Sequence, residues 1–201
     1  MTGRLGRVSR EAMAAAVRPY YEEPFRRYHD WRHVTEIFDE ADRLGLPLSE
    51  AQDLAIFCHD LMNLVDPDHL GGSFNEGASA HLMRAHARVL GIPEPVVEEA
   101  GLIVMATDHV PRTGLTQSCA EVLDLDLMRL AAPYETFLQH SHDVHFEWRH
   151  VIPDPGDFMA ARAGYLVDRF LVRENIFVAG LFDEEAARSN IERLMADFGR
   201  R

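Results

Sequence analysis

The sequence predicts an all-α protein, a bundle of about nine helices. Apolar residues recur at helical spacing through most of the chain, and nowhere does the alternation of a strand persist. Capping residues and glycine or proline stops divide the helical stretches at short intervals. At 201 residues the chain is long enough to bury a substantial core, and one domain spanning 1–201 accommodates it.

The elements follow in order. Residues 8–23 read as a helix with Ser9 as N-cap, ending in the cluster PYYEEP. Residues 30–44 place Val34, Ile37, Phe38, Ala41 and Leu44 on one face and stop at Gly45 and Pro47. Ser49 and Gln52 form a capping-box pattern opening the next helix, which contains DLAIFCHDLMN. The loop NLVDPDHLGGSF follows; its Pro67 and Gly71-Gly72 make it the longest irregular stretch and a candidate lid. Asn75 is positioned to cap a helix to Leu90, closed by Gly91, and residues 93–108 form another around GLIVMA. After the break PRTGLTQS come helices over 118–130 and 133–150, then IPDPGD, then a helix over 158–173. Asp183 begins a last helix whose first turn is acidic, as the helix dipole favours.

Composition excludes several classes of function. No apolar run approaches the roughly 18 residues of a membrane span, so a membrane partner is not expected. The N-terminus lacks an apolar core with a small-residue cleavage site, and the two cysteines, Cys58 and Cys119, suit a reducing compartment. A cytoplasmic protein is the expectation, and a homo-oligomer is compatible with it. Net charge is −13 and all 20 basic side chains are arginine. That balance disfavours long nucleic acids, and the absence of lysine removes Schiff-base chemistry and the P-loop lysine.

The informative segment is the apolar helix interrupted by His59-Asp60. About one His-Asp dipeptide is expected by chance and three occur, but only this one interrupts an apolar helix. On a helix the two side chains stand about 100° apart, so further ligands must come from other elements. His29, His33 and Asp126 are placed to supply them. Two histidines with two carboxylates suit Mn, Fe, Co or Mg with water completing an octahedron; zinc fits less well. Asp124 competes with Asp126, and the two point about 200° apart on a helix, so only one can face an ion.

The order His33, His59-Asp60, Asp126 resembles the H…HD…D signature of the HD superfamily of metal-dependent phosphohydrolases. The blocks YHDWRHV, FCHD, NEGASA, LIVMATDH, LDLDL and RAGYLVDRFLVRENIF are similar, in the same order, to a bacterial branch of predicted HD phosphohydrolases, over about Tyr20 to Asn190. The resemblance implies an HD-type helical bundle with His33, His59, Asp60 and Asp126 as ligands of one divalent ion, and within LDLDL it favours the second aspartate. Better-known relatives carry a glutamate where this chain has Asn63. Glu76 is therefore the leading candidate to orient an attacking water. His109 is a candidate catalytic residue or ligand of a second metal, and His29 a substrate contact. Arg162 matches the branch and can clamp a phosphate bidentately, whereas Arg169 reads as solvated. The tract His140, His142, His145 and His150 also reads as solvated.

The function implied is hydrolysis of a small phosphate ester or a nucleotide, a divalent ion activating water and offsetting charge on phosphorus. Three alternatives stand beside it. One is a module that binds metal or nucleotide without turnover, suggested by Asn63. Another is a metallopeptidase using His29-Asp30-Trp31-Arg32-His33 as a variant of H-E-x-x-H. The last is a di-iron oxygenase of the same superfamily, which needs extra histidines such as His109.

Overall fold

In the computed structural model, residues 4–65, 74–111 and 113–199 are described; Arg7 and Val8 are described in their backbone only. The candidate lid falls largely on residues 66–73, outside the described residues. Among the described residues nine α-helices run in order: α1 (Arg7–Tyr21), α2 (Trp31–Arg43), α3 (Glu50–Cys58), α4 (Phe74–Val89), α5 (Glu94–Ala106), α6 (Gln117–Asp126), α7 (Tyr134–Trp148), α8 (Pro155–Leu166) and α9 (Glu184–Phe198). A 3₁₀ turn (Met128–Ala131) follows α6 and a π turn (Val167–Leu171) follows α8. Among the described residues there is no strand, and no helix is long and apolar enough to cross a membrane.

Helix α3 is central because it has no polar face to give to solvent. Every residue from Ala51 to Cys58 is buried, and α1, α2, α4, α5 and α6 pack around it. The second apolar cluster joins α7, α8 and α9, with Phe158, Phe170 and Ile191 inside it, and Phe182 packs against both clusters. Burial on every side, with Asp53 paired to Arg10, puts the C-terminal end of the helix, with His59 and Asp60, in the interior.

Several termini follow the sequence. The Ser49–Gln52 capping box is present in both directions, and Gly45 and Gly91 take φ of +67° and +68°, the left-handed conformation that ends a helix. Others differ. Helix α1 begins at Arg7 with Gly6 as its cap, so Ser9 lies inside the first turn. Asn75 lies within α4; its side chain receives Leu64 N–H (3.0 Å) and donates to Leu64 O (3.1 Å), closing the chain on the far side of the loop. Helix α6 is capped by Thr116 and ends at Asp126 rather than running on to Leu130. The single helix expected over 158–173 starts earlier, at Pro155, and widens into the π turn.

Candidate metal centre

Helix α3 ends at Cys58, so His59 is its C-cap and Asp60 lies just beyond, rather than both riding one continuous helix. Two residues hold this end. The Tyr21 hydroxyl donates to Phe57 O (3.0 Å) and accepts Asp60 N–H (3.3 Å). Arg26, buried, donates to Asp60 O (2.6 Å), Leu61 O (2.8 Å) and His29 O (3.1 Å). A cation at a helix C-terminus is favoured by the dipole, and here it also occupies carbonyls the helix leaves without partners.

With the backbone fixed, the side chains converge. His59 Nδ1 lies 3.0 Å from Ile56 O, which makes Nδ1 the donor and leaves Nε2 as the nitrogen free to take a proton or a metal ion. The carboxylate of Asp30 caps α2 by accepting His33 N–H (3.2 Å), aiming His33 from the first turn. Ligand atoms of His33, His59 and Asp60 all lie within 4.8 Å of one another. Asp126, the last residue of α6, brings Oδ1 to 2.9 Å from His33 Nε2 and 3.5 Å from His59 Nε2.

These residues fit a divalent cation. His59 Nε2 and Asp60 Oδ2 are buried and neither has a partner in hydrogen-bond geometry. Burial opposes charge on His59, yet the nearby Asp60 and Asp126 carboxylates overcome it and hold the imidazole well above its ordinary pKa. Burial likewise opposes ionisation of Asp60 and Asp126, and the His59 charge outweighs it, holding both carboxyls below their usual range. The site thus favours one positive charge among two carboxylates, a place a metal ion can take. His33 differs: burial pulls its pKa down, towards the neutral form that ligates.

The other sequence candidates divide. His109 Nε2 lies 2.9 Å from Asp126 Oδ2, so it reaches the group through that carboxylate. Its φ is +53°, an uncommon conformation for a residue with a side chain, and it turns the ring inward at the end of α5. Glu76 is half-buried in the first turn of α4; burial, then the Asp108 and Asp60 charges, raise its pKa. Asp124 faces elsewhere, accepting the N–H groups of Ala179 (3.1 Å) and Leu181 (3.0 Å). Arg162 is half-buried, and its charge is felt at Tyr28, whose ring stacks on His33. In the histidine tract His142 and His150 are exposed as expected, but His140 and His145 are half-buried, His140 edge-on to Tyr28.

His29 is partnered in a way the sequence did not indicate. Its Nδ1 lies 2.7 Å from Glu147 Oε2. Glu147, buried on α7, also accepts the N–H groups of Arg27, Tyr28 and His29 through Oε1, and Asn63 Nδ2 donates to its Oε2 at 3.2 Å. The peptidase premise fails on the same ground: Asp30 is an N-cap with φ −105° and ψ 177°, so His29 precedes the helix and does not share a helical face with His33.

Glu147 and Arg26 were missed because each acts over sequence separations that local patterns do not encode. Nothing local singles out Glu147 among the acids of α7, and Arg26 shows only as an arginine within the aromatic stretch YYEEPFRRYHDW. Comparison with known proteins finds no matching family model, no matching curated protein and no matching solved structure.

Proposed function

We propose that this protein is a metal-dependent phosphoric ester hydrolase of the HD type, acting on a small phosphate ester or nucleotide. The observation that carries the reading is the convergence of His33, His59 and Asp60 within 4.8 Å, with the His59 tautomer fixed by Ile56 O and Asp126 alongside. His33, His59, Asp60 and Asp126 would hold one divalent ion, Mn, Fe, Co or Mg. When bound, the ion supplies Lewis acidity towards a phosphoryl oxygen and activates water at neutral pH.

The chain's own residues supply the rest. Glu76 stands in the first turn of α4, and burial, with the Asp108 and Asp60 charges, raises the pKa of its carboxyl, which suits a group that takes up and releases a proton. His29 is the second proton carrier. Glu147 accepts from its Nδ1 and raises its pKa, so that Nε2 carries a proton it can give up, and anchors the 27–29 turn through three backbone donors. Asn63, where relatives have an acid, contributes a hydrogen bond to Glu147 rather than a base.

Elemental analysis of the purified protein, with a screen of phosphomonoesters, phosphodiesters and nucleotides, tests the reading. Stoichiometric metal with turnover of one class is expected. Metal without any turnover would favour the binding module, and no retained metal under reconstitution would sink both.

A further inference from the structure

Arginines in an acidic chain normally find carboxylates. With 33 Asp and Glu against 20 Arg, partners are abundant, and Arg10, Arg26, Arg43, Arg129 and Arg188 each have one. Arg162, Arg169 and Arg173 do not: among the described residues none has a carboxylate within ion-pair distance. All three are half-buried, and the Nε atom of each is buried with no hydrogen-bond partner.

Arg162 lies on α8, Arg169 in the π turn and Arg173 two residues past its end, so the three form a basic stripe along one stretch of chain. A π turn inside a helix is a feature often associated with function. The stripe lies against the candidate centre. Arg169 Nη2 donates to Asp108 O and Arg173 Nη2 to His109 O, and His109 in turn contacts Asp126. Arg162 lies near Tyr28, the ring stacked on His33. Each guanidinium has five donors. Arg169 and Arg173 use one apiece and Arg162 none within the protein, so planar donor sets are left without acceptors beside one another. Burial, then the charge of Arg169, pull the Arg173 guanidinium below its ordinary pKa, against the opposing influence of Tyr165 and Asp108.

We propose that Arg162, Arg169 and Arg173 form an oxyanion subsite next to the metal centre, and that the substrate class is an organic diphosphate, one phosphoryl group at the centre and the second on the arginines. This rests on the hydrolase reading for the first phosphoryl group only. The chemistry of the stripe selects the second: paired Arg forks match the oxygens of a phosphoryl group, and three arginines outnumber the one neighbouring acid, Asp108. Arg173 donates to the backbone of His109, whose side chain meets Asp126, so one residue bridges the stripe to the centre, and two phosphoryl groups joined directly are the simplest ligand to engage both.

The test uses the manganese-loaded full chain and two non-hydrolysable probes, methylenediphosphonate and methylphosphonate, by calorimetry. The parent should bind the diphosphonate more tightly. Arg162→Gln, which removes no hydrogen bond within the protein, should weaken diphosphonate binding by about 10- to 100-fold, the worth of a charge-assisted hydrogen-bond pair, with methylphosphonate binding unchanged. Arg169→Lys, keeping the charge while losing the fork, should give a smaller loss of the same kind. Equal affinity of the parent for both probes, or full diphosphonate affinity in Arg162→Gln, would overturn the subsite. Metal content measured on the same samples separates the two ideas: a chain that takes up no manganese yet loses diphosphonate binding on Arg162→Gln keeps the arginine subsite and sinks the metal reading.

Discussion

His59 Nε2 lies 3.0 Å from Oδ2 of Asp60, its neighbour in the chain, yet the two do not meet in hydrogen-bond geometry, and both atoms are buried. Two polar atoms pointed at common space rather than at each other are costly unless something joins them. Asp60→Ala should therefore abolish stoichiometric metal binding while leaving helical content nearly intact, since α3 is held by its apolar neighbours. Manganese at about 100 times its Kd should stabilise the parent by about 2.7 kcal/mol and the variant not at all. Metal retained at full stoichiometry in Asp60→Ala, by elemental analysis, would remove the centre.

The two aspartates of LDLDL should fail in opposite ways. Asp124→Ala strands the N–H groups of Ala179 and Leu181 and should cost about 1–3 kcal/mol of stability with metal content unchanged. Asp126→Ala should lose metal affinity. Denaturant titration and metal analysis of both variants decide it, and matching behaviour in the two would refute the division of roles.

The His29–Glu147 pair predicts a pH dependence. Burial opposes the charge on both, but the His29 charge and the hydrogen bonds hold Glu147 down at about 2, and Glu147 raises His29 above its ordinary value. For a carboxyl with a depressed pKa, the stabilisation is present above its unfolded value and lost as pH falls through about 2. For a histidine with a raised pKa, it is fully present below the unfolded value and lost as pH rises through the folded one. The stability gap between the parent and Glu147→Gln should thus be larger at pH 5 than at pH 9. Urea midpoints showing the same gap at both values would mean the pair is not charged.

Glu76→Gln should preserve metal binding and reduce turnover by about 10²- to 10⁴-fold, the usual scale of a lost proton carrier. A side chain serving only as first-turn charge would leave turnover intact and cost about 0.3–1 kcal/mol of stability. His109→Gln separates a ligand from a positioning residue: it should leave metal stoichiometry at one and slow turnover by loosening Asp126, and loss of a second metal equivalent would overturn that assignment.

The sequence by itself determined the all-helical fold, because helix periodicity and stops such as Gly45 and Gly91 are local rules obeyed within a few residues of where they are written. The Ser49–Gln52 box is the clearest case, its atoms three residues apart. It also marked His59 and Asp60, since a charged pair inside an apolar run is visible without a fold, and the resemblance of the ordered blocks added His33 and Asp126. Only the tertiary structure decided which of Asp124 and Asp126 faces the centre, because the turn that claims Asp124 lies 55 and 57 residues further on. It alone tied His29 to Glu147 across 118 residues and turned Arg169 from an expected solvent-facing side chain into one anchored on Asp108. Partners of buried charges are chosen by which helices pack together, and that follows from burial of apolar faces over the whole chain rather than from any pattern near the charge.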